Sequence, residues 1–340
     1  EQLGKRFDEL RGMADCQPLF AEVFALAHEA IRTAILDAAP GVHTLAEGGV
    51  VLDGDGEACD GGTTATVCCV VDGTRLIHAQ VGDSSAAIGG YDRESVEAGA
   101  ESPDVVFDEL LPDHTPDEPG EYARVQNDPR LKGLPKAFFI YDTDDAFDDP
   151  AAALQIHRFD ESRGEWVLDT EARAEADRRG VGFKNARGDR PTVIATPGDG
   201  PFEVQALGMS RSLGDFVMHL YGVTHEPEVR EADLADVCEA LACPVLFLAS
   251  DGFWDLWSYE DVFERVVCPG PDSRRTEVAM KFMKDNQLKG AREFGDTADN
   301  MTGILVYFDY EGQPGQAQGQ GQAGAGGAKL VEEGEDDDWV

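Results

Sequence analysis

The chain has 340 residues, 42% of them hydrophobic, which is enough for one sizeable core or two smaller ones. Its 67 acidic residues outnumber 28 basic ones, for a formal net charge of −39. A surface that negative repels phosphate backbones and anionic lipid heads, so nucleic-acid and membrane partners are excluded, whereas divalent cations suit it. No apolar run approaches the roughly 20 residues of a bilayer span. The 7 cysteines lack zinc-type spacing and read as reduced, mostly buried thiols of an intracellular, cytoplasmic protein.

In chain order, Phe20, Phe24, Ala27, Ile31 and Ile35 recur at helical spacing and predict an amphipathic helix over 15–36. A Gly/Asp-rich loop over 48–62 follows, containing Asp53-Gly54-Asp55-Gly56. Residues 63–71 and 74–81 are apolar, β-branched runs around Asp72-Gly73, a strong hairpin signal. On that hairpin Cys68 and Cys69 should face opposite ways.

The segment 126–200 is polar and punctuated by Gly and Pro. It holds an acidic cluster of Asp142, Asp144, Asp145, Asp148 and Asp149, and a second expected hairpin of 154–159 with 165–168. It reads as an elaboration on the surface of the main domain. Beyond it, 245–250 is a short buried strand, and Ser258 with Asp261 forms a capping box that should start a helix running to Val267. A helix over 276–288 and a last strand over 302–308 follow. Residues 311–340 are Gly/Gln-rich and then acidic, the composition of a flexible tail that cannot bury enough apolar surface to order itself. Hairpin-length loops predict largely antiparallel sheets with helices outside.

Three aspartates share one kind of position. Asp83 follows the strand ending at Val81, Asp251 follows the strand ending at Ser250, and Asp299 precedes the last strand. If that last strand runs opposite to the other two, all three collect at one rim. A carboxylate cluster without His or Cys suits a hard divalent ion, Mg²⁺ or Mn²⁺.

The wider context sharpens this. Gly62-Thr63-Thr64-Ala65, Val81-Gly82-Asp83-Ser84, Ser210-Arg211-Ser212-Leu213-Gly214-Asp215, Ala249-Ser250-Asp251-Gly252-Phe253-Trp254-Asp255 and Asp299-Asn300-Met301-Thr302 occur in that order. So do Asp113-His114-Thr115-Pro116-Asp117 and Glu226-Pro227-Glu228-Val229. Together they resemble the successive motifs of the PPM (type 2C) metal-dependent serine/threonine protein phosphatases. The resemblance implies an α+β fold, an α-β-β-α sandwich of two antiparallel sheets flanked by helices, spanning 1–310. It also implies a binuclear Mg or Mn site at which an activated water attacks the phosphorus of phosphoserine or phosphothreonine in phosphoprotein substrates. Motif by motif, Asp251 and Asp299 match ligands of the principal metal pair, and Asp83 matches a ligand of a more weakly held additional ion. Asn300 and Asp215 match loop-holding positions.

The departures also inform. The family's D-G-H-G-G segment, with its metal-bridging aspartate and general-acid histidine, does not occur in this sequence, nor does the phosphate-binding arginine that precedes it. The catalytic acid therefore remains unassigned, and the domain is expected to be incomplete at its N-terminus and inactive as this piece alone. Ser85 stands where the family commonly has Arg, and Gly303 where a β-branched residue is usual. Two readings follow: a metal-dependent phosphatase of which this is part, or a non-catalytic, phosphatase-like scaffold. In either reading the 126–200 insertion could meet a protein partner.

Overall fold

The computed structural model describes residues 2–143, 146–185, 188–198 and 200–309. Helix α1 (Gln17–Ala38) is followed by strands β1 (Ala65–Val71) and β2 (Arg75–Val81), then β3 (Ser85–Asp92) and β4 (Val105–Glu109). Helix α2 (Pro119–Asn127) leads into the insertion, with β5 (Phe138–Tyr141), β6 (His157–Asp160), β7 (Glu165–Leu168), α3 (Thr170–Arg178), β8 (Thr192–Ala195) and β9 (Ala206–Leu207). The chain closes through α4 (Phe216–His219), β10 (Glu228–Asp233), β11 (Leu241–Ala249), α5 (Asp251–Trp254), α6 (Tyr259–Val266), α7 (Asp272–Glu293) and β12 (Gly303–Tyr307).

The Asp72-Gly73 turn forms as expected, with φ of 52° and 71° at its two residues, the left-handed pair that matches the twist of a hairpin. One sheet has the order β10-β2-β1 and the other β12-β11-β3-β4, with every pairing antiparallel. Strand alternation then builds the layers. Along β2, Ile77, Ala79 and Val81 pack with Leu19, Phe20 and Phe24 of α1, while Leu76 packs with Ala86, Ile88 and Leu246 of the other sheet. Along β11, Leu246 and Leu248 face that inter-sheet layer, and Val245, Phe247 and Ala249 face Phe253, Val262, Phe263 and Phe282 of α5–α7. The order is helix, sheet, sheet, helix, as the sequence predicted. Cys69 lies in the α1 layer and Cys68 against the inter-sheet layer, on opposite faces.

Local signals also hold. The Ser258 hydroxyl accepts from the Asp261 N–H at 3.1 Å and caps α6. Strand β11 starts earlier than periodicity suggested, because a bulge between Ala242 and Val245, with Cys243 at φ 56°, interrupts its pattern.

The insertion packs onto the main domain: its β5 and β8 form a sheet with β9, which follows it, and Phe139, Tyr141, Ile156, Ala176 and Ile194 share a buried cluster with Val50, Phe216, Val217 and Tyr221. Short strands separated by Gly, Pro and Asp hide such a core from periodicity. Asp144, Asp145 and the 311–340 segment lie outside the described residues.

Candidate metal centre

Register decides where the three aspartates meet. Ala249, the last residue of β11, stands opposite both Ser85 of β3 and Gly303 of β12. The turn bearing Asp83, the start of α5 bearing Asp251 and the approach to β12 bearing Asp299 therefore leave the same edge of one sheet. The expected antiparallel run of β12 is what allows this.

Backbone bonds lock the last two loops together. The Ser250 N–H donates to the Thr302 carbonyl at 3.0 Å, and the Thr302 N–H donates to the Ser250 hydroxyl at 3.1 Å. A Cβ at Gly252 would stand 2.4 Å from the Asn300 carbonyl oxygen, so only glycine lets α5 approach the Asp299 loop this closely. Asp299 accepts from the Asn300 N–H at 2.7 Å and Asp251 from the Gly252 N–H at 2.9 Å. Asn300 thus helps shape the loop.

Asp83 is set by a different device. Gly82 has φ 97°, and a Cβ there would lie 2.3 Å from a Thr64 methyl. The Gly82 carbonyl accepts from the Gln80 amide at 3.1 Å, and the Gly82 N–H donates to His114 Nδ1 at 3.1 Å. That bond leaves the His114 proton on Nε2, which donates to Glu228 at 3.2 Å. Burial, outweighing Glu228, pushes the His114 pKa down, so the ring acts as a neutral brace. Asp83 itself is only 4% exposed.

Like charges meet at this rim. Burial, the Asp83 charge and, more weakly, Asp255 and Asp299 raise the Asp251 carboxyl to about 7, with Lys184 opposing them. Asp255, one helical turn beyond Asp251, joins the cluster; the i,i+4 spacing in Asp251-Gly252-Phe253-Trp254-Asp255 was its signal in the sequence. Lys184 comes from the stretch between α3 and β8 and places its Nζ 3.1 Å from Asp83 Oδ2. Burial alone would lower the pKa of this ammonium, but Asp83, Asp255 and Asp251 more than reverse that. One lysine in a polar loop carried no signal. The donor set of the rim is all oxygen, which fits Mg²⁺ or Mn²⁺.

The family model described as protein phosphatase 2C matches residues 28–131 and 202–296, more than half of the chain. The chain belongs to the protein phosphatase 2C family. A probable protein phosphatase of Drosophila melanogaster is 30% identical over 106 residues, which are 30% of this chain and 16% of that protein. Among solved structures, serine-threonine phosphatase 2C of Toxoplasma gondii is 18% identical, covering 74% of this chain and 59% of that one at a TM-score of 0.43. The Stp1 phosphatase of Staphylococcus aureus is 16% identical, covering 73% and 57% at 0.31. Lys184 lies between the two stretches that match the protein phosphatase 2C model, and Asp299 lies just past the second.

A second cluster of this phosphatase 2C chain has different chemistry. Nitrogens of His28, His219 and His225 lie within 4.8 Å of one another. The Gly214 N–H donates to His28 Nδ1 at 3.1 Å, and His28 Nε2 lies 3.3 Å from the Arg32 guanidinium. Burial lowers His28 to about 4 and His219 to about 3, so these rings are neutral, and His219 Nε2 and His225 Nδ1 are buried without a hydrogen-bond partner among the described residues.

Proposed function

We propose that the chain carries the metal-binding rim of a protein serine/threonine phosphatase whose substrates are phosphoproteins. The observation that carries this reading is the register that gathers Asp83, Asp251 and Asp299, with Asp255, at one sheet edge. Asp251 and Asp299 would hold the principal ions, Mg²⁺ or Mn²⁺, and Asp83 with Asp255 an additional one. Such ions, when bound, lower the pKa of water and neutralise charge on a phosphoryl group. The chain's own part is positional: the Ser250–Thr302 clamp holds two carboxylates at fixed spacing, and His114 fixes the turn that presents the third. Beside the rim, a cavity of about 220 Å³ lined by Asp113, Thr115, Lys184, Asn185, Arg190 and Tyr259 offers room for a phosphorylated side chain. Asp142, Asp148 and Asp149 of the insertion would favour basic over acidic peptides.

The setting proposed is intracellular and cytoplasmic: the seven cysteines are free, and no helix among the described residues is long and apolar enough to cross a membrane. A non-catalytic module is the second reading, and the lysine seated on Asp83 favours it. The test is Mn²⁺ titration by calorimetry beside hydrolysis of a phosphothreonine peptide. Metal binding abolished by Asp251→Asn, with little or no turnover by this chain alone, is expected. Absence of any Mn²⁺ binding would remove the metal reading.

A further inference from the structure

Lys184 has more structure behind it than a surface lysine. Its backbone N–H donates to the Asp189 carbonyl at 2.7 Å. The Asn185 amide donates to Asp189 Oδ2 at 2.8 Å, and the Asp189 N–H returns to Asn185 Oδ1 at 3.2 Å. Arg190 anchors the far side, donating to the Val181 carbonyl at 2.7 Å, pairing with Asp177 at 2.7 Å and stacking over Phe183 at 3.9 Å. This braced loop delivers the ammonium to Asp83, whose side chain is 5% exposed against 31% for the lysine. A flexible cation is thus carried from solvent into the most buried corner of the rim.

We propose that Lys184 is a built-in cation that occupies the Asp83 side of the rim and competes with a divalent ion for it. The inference rests on the metal reading above and deepens it. The Asp83 charge can be neutralised in two ways: by the tethered ammonium, or by a further divalent ion with the ammonium swung away. Like charges sharing the same carboxylate repel, so the two states exclude each other. With Lys184 in place the chain holds metal at Asp251 and Asp299, and Asp83 stays closed. A phosphatase module gains from this a rim that keeps its shape without full metal loading. Its last ion enters only against a local competitor, which lowers the affinity of that position alone.

The experiment compares the full chain with Lys184→Gln and Lys184→Arg, using Mn²⁺ itself as probe, counted by calorimetry and by its electron-spin signal. The expected result is one more Mn²⁺ per chain in Lys184→Gln, or at least tenfold tighter binding of the weakest ion, with Lys184→Arg close to the parent. Reductive methylation of the parent provides a second readout that needs no folded variant: Lys184 should react slowly in metal-free protein and several-fold faster at saturating Mn²⁺. Equal Mn²⁺ number and affinity in the parent and Lys184→Gln, with Asp251→Asn still abolishing binding, overturns the competition and leaves the metal reading intact. So does weaker binding in Lys184→Gln, or a methylation rate indifferent to Mn²⁺. Failure of every protein to bind Mn²⁺ removes the metal reading and the inference with it.

Discussion

Two desolvated carboxylates in this domain are driven in opposite directions. Asp251, partly buried, is raised to about 7 by burial and by neighbouring aspartates. Glu121, on α2, is more deeply buried, yet it is held far below the usual carboxylate range. Burial works against it, but Arg211 and Arg124 and the Ser210 hydroxyl more than compensate. The Arg211 guanidinium reaches Glu121 at 2.6 Å and Arg124 reaches it at 2.9 Å. Burial alone therefore says little about a carboxylate's state; the sign of its neighbours decides it. The Glu121 region is electrostatically complete within the chain. At Asp251 the neighbouring carboxylates win instead, and that is where the proposed metal ions would sit.

The largest test of that contrast is Glu121→Ala. It strands two guanidiniums in a buried setting and should cost about 3–5 kcal/mol of stability, read by urea denaturation. A loss below about 1 kcal/mol would mean that the network is solvated and the contrast false. Next comes Asp251→Asn, which relieves repulsion in metal-free protein. The melting temperature should rise by about 2–5 °C without metal, and the further rise caused by Mn²⁺ in the parent should vanish. A drop without metal would contradict that repulsion.

The pH dependence of the completed regions follows with its sign. Glu121 is depressed in the fold, so its contribution is present above its unfolded pKa of about 4.5 and is lost as pH falls below that. His28 and His219 stay neutral in the fold at about 4 and 3, while the unfolded chain takes up protons below about 6.5. With the opposing proton uptake of Asp251 removed by Asp251→Asn, stability should decline first between pH 6.5 and 4, and more steeply below 4.5. A denaturation midpoint constant from pH 7 to 4.5 would refute this order. The smallest effect belongs to an exposed carboxylate. Glu175 bridges Arg178 and Arg179 in solvent, and Glu175→Ala should move the melting temperature by no more than about a degree.

Much of the frame was legible in the sequence because it is locally encoded. Apolar runs over 63–71, 74–81 and 245–250 predicted strands, Asp72-Gly73 predicted the hairpin, and Ser258 with Asp261 predicted a helix start. The rim was legible for a related reason. Asp83, Asp251 and Asp299 sit at strand ends, and antiparallel pairing of neighbouring strands is enough to bring strand ends together. Asp255 could have been added from its spacing.

The partners of those charges were another matter. Lys184 meets Asp83 across 101 residues of chain, and Arg211 meets Glu121 across 90. Nothing in the neighbours of a lysine or an arginine says which distant carboxylate it will find. That depends on how loops close over the sandwich. The insertion's core was hidden likewise, since Phe139 and Ile194 become buried only against Val50 and Phe216 from other parts of the chain. Periodicity records which face a side chain takes; only the closed tertiary structure decides what stands opposite it. For this protein that difference separates a row of aspartates from a rim whose charge is partly answered from within.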